Sequence, residues 1–593
     1  MKERNEIDEN YKWNLKDIYN SENELQEDLI KVKQSIEKLE NFKGKLNNKE
    51  KCLEFFNFSK GVSLIFDKVA SYAYLKHSED LEKTKYIELL AQVEMLSHQI
   101  AVKQSFVSPE LSTLSNESIY EMIEDERFKN NVLGLKEIIR NKPHILTEAE
   151  ETIISKTSLF SGEFSEIFDM FDSVDIVIEK AMDSNGQKHN VSQANISLLL
   201  EQPDRVLRKN AFENLYKAFI GLKNTLATNY IANVKKDTSF SDIYKFNSTL
   251  ERRLFGLNAD KKIYDNLIEN VNKHTPLLHQ YFQLKKKILA FDKLHYYDIY
   301  LKLGKVTRSF SFKDSLTVIK EALHPLGEEY VNLVNKSISE RWIDIYPNKN
   351  KSTGAFSSGL YGVHAYVLLN NVDNLDSVFT TAHELGHAFH TYYSDTTQPY
   401  ETSHYPIFLA EVASTANEIL LIKHFYKNAT KTDEKIFYLD KYLSMFKSTL
   451  FRQTMFSEFE QFAHSQIEKK QPLSKEKLKD YYASLNKKYH GKSLTHASEI
   501  EYEWLRIPHF FRSFYTYQYS TGIVASINLM TNILEKNKNA VEKYTNFLKA
   551  GGSDYPVNIL KEAGVDLTTN QPYELAFNEM KWALDELEKL SVK

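Results

Sequence analysis

The chain has 593 residues, enough at about 150 residues per domain for several domains or one large helical body. Gly (18) and Pro (12) are scarce, which argues against turn-rich sandwiches and propellers and favours long helices. Lys+Arg 76 against Asp+Glu 81 leaves a net charge of -5, so no basic field invites nucleic acid or an anionic membrane. The single cysteine, Cys52, excludes an intramolecular disulfide framework and a cysteine-rich metal site, and reads as a small packed residue on a helix. The opening MKERNEIDENYKWNL carries no apolar signal-peptide core. No run approaches the ~20 apolar residues that span a bilayer. A cytoplasmic protein is expected, and any metal must be held by His and carboxylate ligands.

The first clear element opens with Ser21 and Glu24 in capping-box spacing. Leu25, Leu29, Val32, Ile36 and Leu39 follow at helical spacing, and two heptads suit a packed helical hairpin better than a coiled coil. Similar amphipathic stretches fill most of residues 50–160. Around 174–193 the period changes: Val174, Ile176 and Ile178 alternate with polar residues ahead of Asn185-Gly186, a hairpin signal. Pro203-Asp204 opens another helical run. The main boundary is placed at 195–205, dividing an N-terminal helical domain (1–200) that ends in a small hairpin from a second domain (201–593). Helices dominate this second part, interrupted by a strand-like block from Gly354 to Val372. Gly491-Lys492-Ser493 looks like the end of a P-loop, but Asn486 stands where its first glycine is required.

The chemistry lies in His383-Glu384-Leu385-Gly386-His387, an H-E-x-x-H motif. On a helix the two histidines stand one turn apart on one face, within reach of one tetrahedral zinc, and Glu384 projects beside the metal where it can take a proton from water. About 0.04 such matches are expected by chance in a chain of this composition. Asp376 or Ser377 is the expected cap of this helix, and Leu375, Phe379 and Ala382 give it an apolar face. A third protein ligand is needed. The arrangement with a ligand histidine shortly downstream is rejected, because His390 and Tyr393 stand where a Gly and that histidine would be. The alternative draws a Glu from the next helix, where Glu411 lies within the apolar run IFLAEVASTANEILLIKHF. Glu418, two turns on, lies on the same face and suits holding a ligand histidine from behind.

HELGHAFH with Glu411 in AEVAST resembles the thimet-type oligopeptidase family of zinc metallopeptidases, in particular its oligoendopeptidase F branch. The likeness extends to YKWNLKDIY, GAFSSGLYGVHAYVLLN, FRQTMFSEFE, HFFRSFYTYQYSTG and FLKAGGSDYPVNILKEAGVD, so it spans nearly the whole chain. It implies a mainly α, two-lobed zincin-type fold with a small sheet beside the active-site helix and a deep substrate channel. It also implies one zinc per chain on His383, His387 and Glu411, with Glu384 as general base. The same resemblance marks His509, Tyr515 and Tyr519 as oxyanion and substrate contacts, with Tyr517 beside them. It casts the segment holding Gly359, Gly362, His364 and Ala365 as an edge strand that pairs with extended peptide. The expected activity is hydrolysis of internal bonds in short oligopeptides. Two alternatives stand beside it: a zinc carboxypeptidase or dipeptidase of similar build, and a catalytically idle peptide-binding protein.

Overall fold

The computed structural model describes residues 2–591, apart from the side chains of Glu148, Thr152, Ser155, Ser158 and Leu159. Helix takes up 71% of the chain and strand 2%, so the protein is mainly α. Strands β1 (Ala181–Met182) and β2 (Lys188–His189) form an antiparallel hairpin. Strands β3 (Ile343–Asp344), β4 (Phe356–Ser358) and β5 (Tyr366–Leu368) form a second sheet in the order β3-β5-β4. The chain builds two compact units, each from three stretches. Residues 1–145, 308–421 and 529–564 make the first, and 146–307, 422–528 and 565–593 make the second. The sequence division expected at 195–205 falls within the second unit. Among the described residues no helix is long and apolar enough to cross a membrane.

The first unit begins with three packed helices, α1 (Glu22–Leu39), α2 (Lys49–Glu79) and α3 (Thr84–Gln104). Ser21 caps α1 by accepting the Glu24 N–H at 3.3 Å, while the Glu24 carboxylate accepts from Asn20 N–H at 3.0 Å. The reciprocal bond of the expected box is therefore shifted by one residue. Leu25, Leu29, Val32, Ile36 and Leu39 are all buried, as the spacing predicts. Each contributes about 1.5–3 kcal/mol of burial. Cys52 is buried on α2.

This helical layer shares one core with the segment Trp13–Tyr19 and with Leu360, Tyr366 and Leu368 around the small sheet. Trp13 meets the Tyr366 ring edge-on at 6.2 Å. Tyr11 O accepts from Ile345 N–H, and Asn14 N–H donates to Arg341 O, so the N-terminal segment runs beside the β3 end of the sheet. Asp344 on β3 is 1% exposed and pairs with Arg4 and, at 2.7 Å, with Lys351. Burial pushes its carboxyl up, but these two cations outweigh it and hold it below the usual carboxylate range.

One sequence expectation is corrected here. The segment holding Gly359, Gly362, His364 and Ala365 is expected to be an edge strand, yet it leads into β5, the central strand, parallel to β3 and antiparallel to β4. Both of its edges are taken, because only a central position buries this apolar run on both sides. The edge strands are β3 and β4.

In the second unit the Asn185-Gly186 turn does make a hairpin, but its strands lie at 181–182 and 188–189 rather than at 174–178. Residues 171–175 instead form a π-helical turn, and Val174 and Val177 are exposed. Alternation without a burying partner does not make a strand. Asp204 caps α4 (Arg205–Gly221) by accepting the N–H groups of Val206 and Leu207, and α5 (Lys223–Ile243) follows.

Replacing Asp344 by Ala should destabilise the protein by about 3–5 kcal/mol, since it strands the buried Lys351 ammonium. A urea midpoint unchanged from the parent would remove this ion pair from the account of the sheet.

Candidate metal centre and active site

Helix α6 (Leu375–Thr397) carries the H-E-x-x-H motif, and α7 (Ile407–Asn428) carries Glu411 and Glu418. The cap of α6 is Asn374, whose Oδ1 accepts the Ser377 N–H at 2.8 Å; it is neither Asp376 nor Ser377. Ser377 instead accepts from Val372 N–H, fixing the turn that leads in. The helix therefore starts two or three residues earlier than expected.

Two features bring α6 and α7 together. Gly386, the fourth residue of the motif, lies so near α7 that an added Cβ would stand 2.6 Å from Ser414 Cα and 2.7 Å from Ala413 O. Asn417 on α7 donates to Ala382 O on α6 at 2.9 Å and accepts from Tyr330 Oη at 3.0 Å. Gly386, Ser414 and Asn417 escaped the sequence reading. The available signal was a glycine inside a helix, which costs about 1 kcal/mol against Ala and so suggests a close approach.

At this crossing the expected ligands converge. His383 Nε2 and His387 Nε2 are 3.2 Å apart, and each lies 3.7 Å from Glu411 Oε2. A tetrahedral zinc with bonds of about 2.0–2.1 Å needs ligand atoms about 3.3–3.4 Å apart. Two imidazole nitrogens and a carboxylate oxygen at these separations fit that ion, and they form a cluster able to hold a metal. Ser414 Oγ donates to Glu411 Oε2 at 2.9 Å, orienting the carboxylate. His383 Nδ1 lies 2.7 Å from Glu418 Oε1, which leaves Nε2 turned toward Glu411.

The charges at the site are strongly coupled. Burial pulls His383 down, but the hydrogen bond and charge of Glu418, with Glu411, hold it up to about 9. Burial and the His383 charge push His387 down to about 4. Glu384 is 7% exposed, and burial, with Glu411 and Glu418 nearby, pushes its carboxyl up to about 7. His390, one turn past His387, is fully buried and stacks on Tyr405 at 3.7 Å.

The small sheet lies beside α6. Gly359, just past β4, is close enough to Thr391 on α6 that a Cβ would stand 2.4 Å from its Cγ2. Gly362 takes a φ of 79°, open to glycine at no steric cost. His364 and Ala365 are buried, contrary to a place on an open edge. His364 stacks on Trp342 at 4.8 Å, and Ala365 has no exposed surface.

The remaining candidates belong to the second unit, beside α8 (Arg452–Glu468) and the start of α9 (Tyr517–Leu534). The rings of His509, Tyr515 and Tyr519 are neighbours, with centroids 5.4–6.3 Å apart. Burial and then the Arg512 charge lower His509 below the usual imidazole range. Tyr517 is 1% exposed and meets the Tyr264 ring at 5.4 Å. It packs the core and cannot touch a peptide, which corrects its expected place among the substrate contacts. Phe514 sits in the left-handed region at φ 55°, a strained position for an aromatic residue. The buried Glu460 on α8 holds it there, accepting from Phe514 N–H at 2.9 Å and Thr516 Oγ1 at 3.0 Å. Asp237 on α5 accepts from the Ser513 hydroxyl.

The profile of peptidase family M3 matches residues 198–579, and that of oligopeptidase F matches 110–177. The chain belongs to peptidase family M3. Oligopeptidase PepF of Bacillus subtilis is 36% identical across 100% of this chain and 89% of its own length. The crystal structure of oligoendopeptidase-F from Enterococcus faecium has a TM-score of 0.76 at 32% identity, over 96% of this chain and 99% of that one. A crystal structure of a Chlamydophila abortus protein reaches a TM-score of 0.93 at 33% identity, over 99% and 100%. As an M3 peptidase the chain is an oligopeptide-cleaving metallopeptidase, as the motif resemblance implied.

Gly386→Ala should force the two helices apart and lower zinc affinity about 10- to 100-fold with helix content unchanged, as read by competition against a chelator and by circular dichroism. Because zinc requires neutral imidazoles, zinc titrated into the metal-free protein at pH 8 should expel close to one proton per ion, that of His383. Calorimetry in buffers of different ionisation enthalpy measures this number, and a value of zero would place the proton elsewhere.

Proposed function

We propose that the protein is a zinc-dependent endopeptidase that cuts internal bonds of short oligopeptides in the cytoplasm. One zinc per chain would be held by His383, His387 and Glu411. The observation that carries this reading is the crossing of α6 and α7, where three ligand atoms meet beside a buried carboxylate. A zinc ion there supplies Lewis acidity, making water nucleophilic near neutral pH and polarising a peptide carbonyl.

The chain's own residues do the rest. Glu384, buried beside the three ligand atoms, would accept a proton from the attacking water and return it to the leaving amine. Glu418 fixes the His383 ring through Nδ1, and Ser414 fixes Glu411. We assign oxyanion and substrate contacts to His509, Tyr515 and Tyr519, which offer one imidazole and two phenolic donors. For the extended peptide we assign β4, the edge strand that leads into Gly359, together with Gly359 and the turn at Gly362. The match of the M3 profile from residue 198 supports reading 201–593 as the catalytic domain and 1–200 as an N-terminal helical domain.

The test is mass spectrometry of end-blocked peptides of graded length and an unfolded protein, digested by the parent and by Glu384→Gln. The parent should make chelator-sensitive internal cuts confined to short peptides. Glu384→Gln should keep its zinc and peptide affinity while losing at least about 10² in kcat. Cutting only where an end is free would favour an exopeptidase, and normal turnover in the variant would take the base role from Glu384.

A further inference from the structure

The second unit contains a cavity of about 280 Å³ whose lining includes none of the residues assigned to the peptidase reaction above. Its walls are largely apolar, with Leu200, Phe212, Leu215 and Met455 among them, yet three cations also line it, Lys447, Arg452 and Arg506. The single carboxylate in the lining is Glu503, which is 2% exposed and already engaged. It pairs with Arg452 at 2.7 Å and Arg506 at 3.6 Å, and it accepts from Tyr482 Oη at 2.6 Å. The lining thus carries an excess of positive charge.

Lys447 is the least compensated of the three. Its ammonium donates to Ile299 O at 3.3 Å and sits 4.8 Å above the Tyr300 ring. The nearest carboxylates are committed to other groups. Asp440 takes Lys285 at 3.0 Å, Tyr281 Oη at 2.7 Å and Leu303 N–H at 2.9 Å, and Glu201 takes Lys302 at 2.9 Å. Burial, then the neighbouring Lys285 charge, push Lys447 down to about 7, the condition of an ammonium without a counter-ion. The backbone bearing it is a π-helical stretch, Phe446–Phe451, which turns Lys447, Ser448 and Phe451 to the cavity. Such stretches are rare and recur at functional sites.

We propose that this cavity binds a small organic anion, a carboxylate borne on a compact apolar body, with the carboxylate on Lys447 beside Arg452. A half-buried cation that faces a largely apolar cavity is stabilised when an anion meets it, and a lining of apolar side chains with cations among them selects an amphipathic ligand over an inorganic ion. At about 30 Å³ per water-sized unit, the volume suits a ligand of about ten non-hydrogen atoms. Two sources share this chemistry, a free small carboxylic acid and the C-terminal end of a peptide.

The probe is 3-phenylpropionate, titrated calorimetrically into the full chain both zinc-loaded and chelator-stripped. We expect one site per chain in both forms, with binding at least tenfold weaker for 3-phenylpropionamide and for Lys447→Met. Removing an unpaired ammonium relieves the fold rather than harming it, so Lys447→Met should melt no lower than the parent, and Lys447→Gln gives a second reading. Equal binding of acid and amide, binding lost with the zinc, or binding indifferent to both substitutions would overturn the site. So would the absence of binding. With binding established, the source follows from KM values of Lys447→Met. A rise for free-acid peptides but not their amides identifies a peptide end, and no change for either identifies a free acid.

Discussion

The metal centre depends on how closely two helices can approach. Three ligand atoms within 3.7 Å of one another must come from α6 and α7, and side chains of fixed length reach that point only if the backbones nearly touch. Gly386 against Ser414 provides the contact, and Asn417 locks it by bonding to a carbonyl of the opposing helix. A methyl group at Gly386 would collide with backbone atoms, which cannot swing aside as a side chain can. The motif's histidines and the distant Glu411 are a single site only because of that crossing.

The crossing also sets the electrostatics. Three carboxylates, Glu384, Glu411 and Glu418, share a mostly buried space with two imidazoles. Without a metal, the negative charge is met by a proton retained on His383, while His387 loses its own and Glu384 titrates near neutrality. A dication held there would replace that proton and compensate the carboxylates at once. The same crossing thus gathers the three ligand atoms and the buried Glu384 carboxyl in one place.

The second unit shows a different use of buried charge. Glu460 and Asp237 spend their hydrogen-bonding capacity on residues 513–516 and hold Phe514 in a conformation it would not otherwise adopt. The rings of His509, Tyr515 and Tyr519 flank this clamped turn. Burial pushes the Glu460 carboxyl up to about 8, against the pull of these two hydrogen bonds.

The sequence by itself determined the parts whose cause is local. The stripe from Leu25 to Leu39 is buried as spaced, the Asn185-Gly186 turn makes a hairpin, Asp204 caps its helix, and the motif histidines share a face. Helical periodicity and short-range hydrogen bonds fix these wherever the segment lies. What only the tertiary structure decided was long-range: that Val174–Ile178 finds no partner strand, that β5 is central and β3 and β4 the edges, and that Tyr517 is core while Tyr515 and Tyr519 are not. The meeting of Gly386 with Ser414 belongs to the same group. A strand needs a neighbour, an edge is defined by what is missing beside it, and a tyrosine's role depends on which side is packed. None of these is a property of a residue's own stretch of chain, because each depends on what a distant segment places against it.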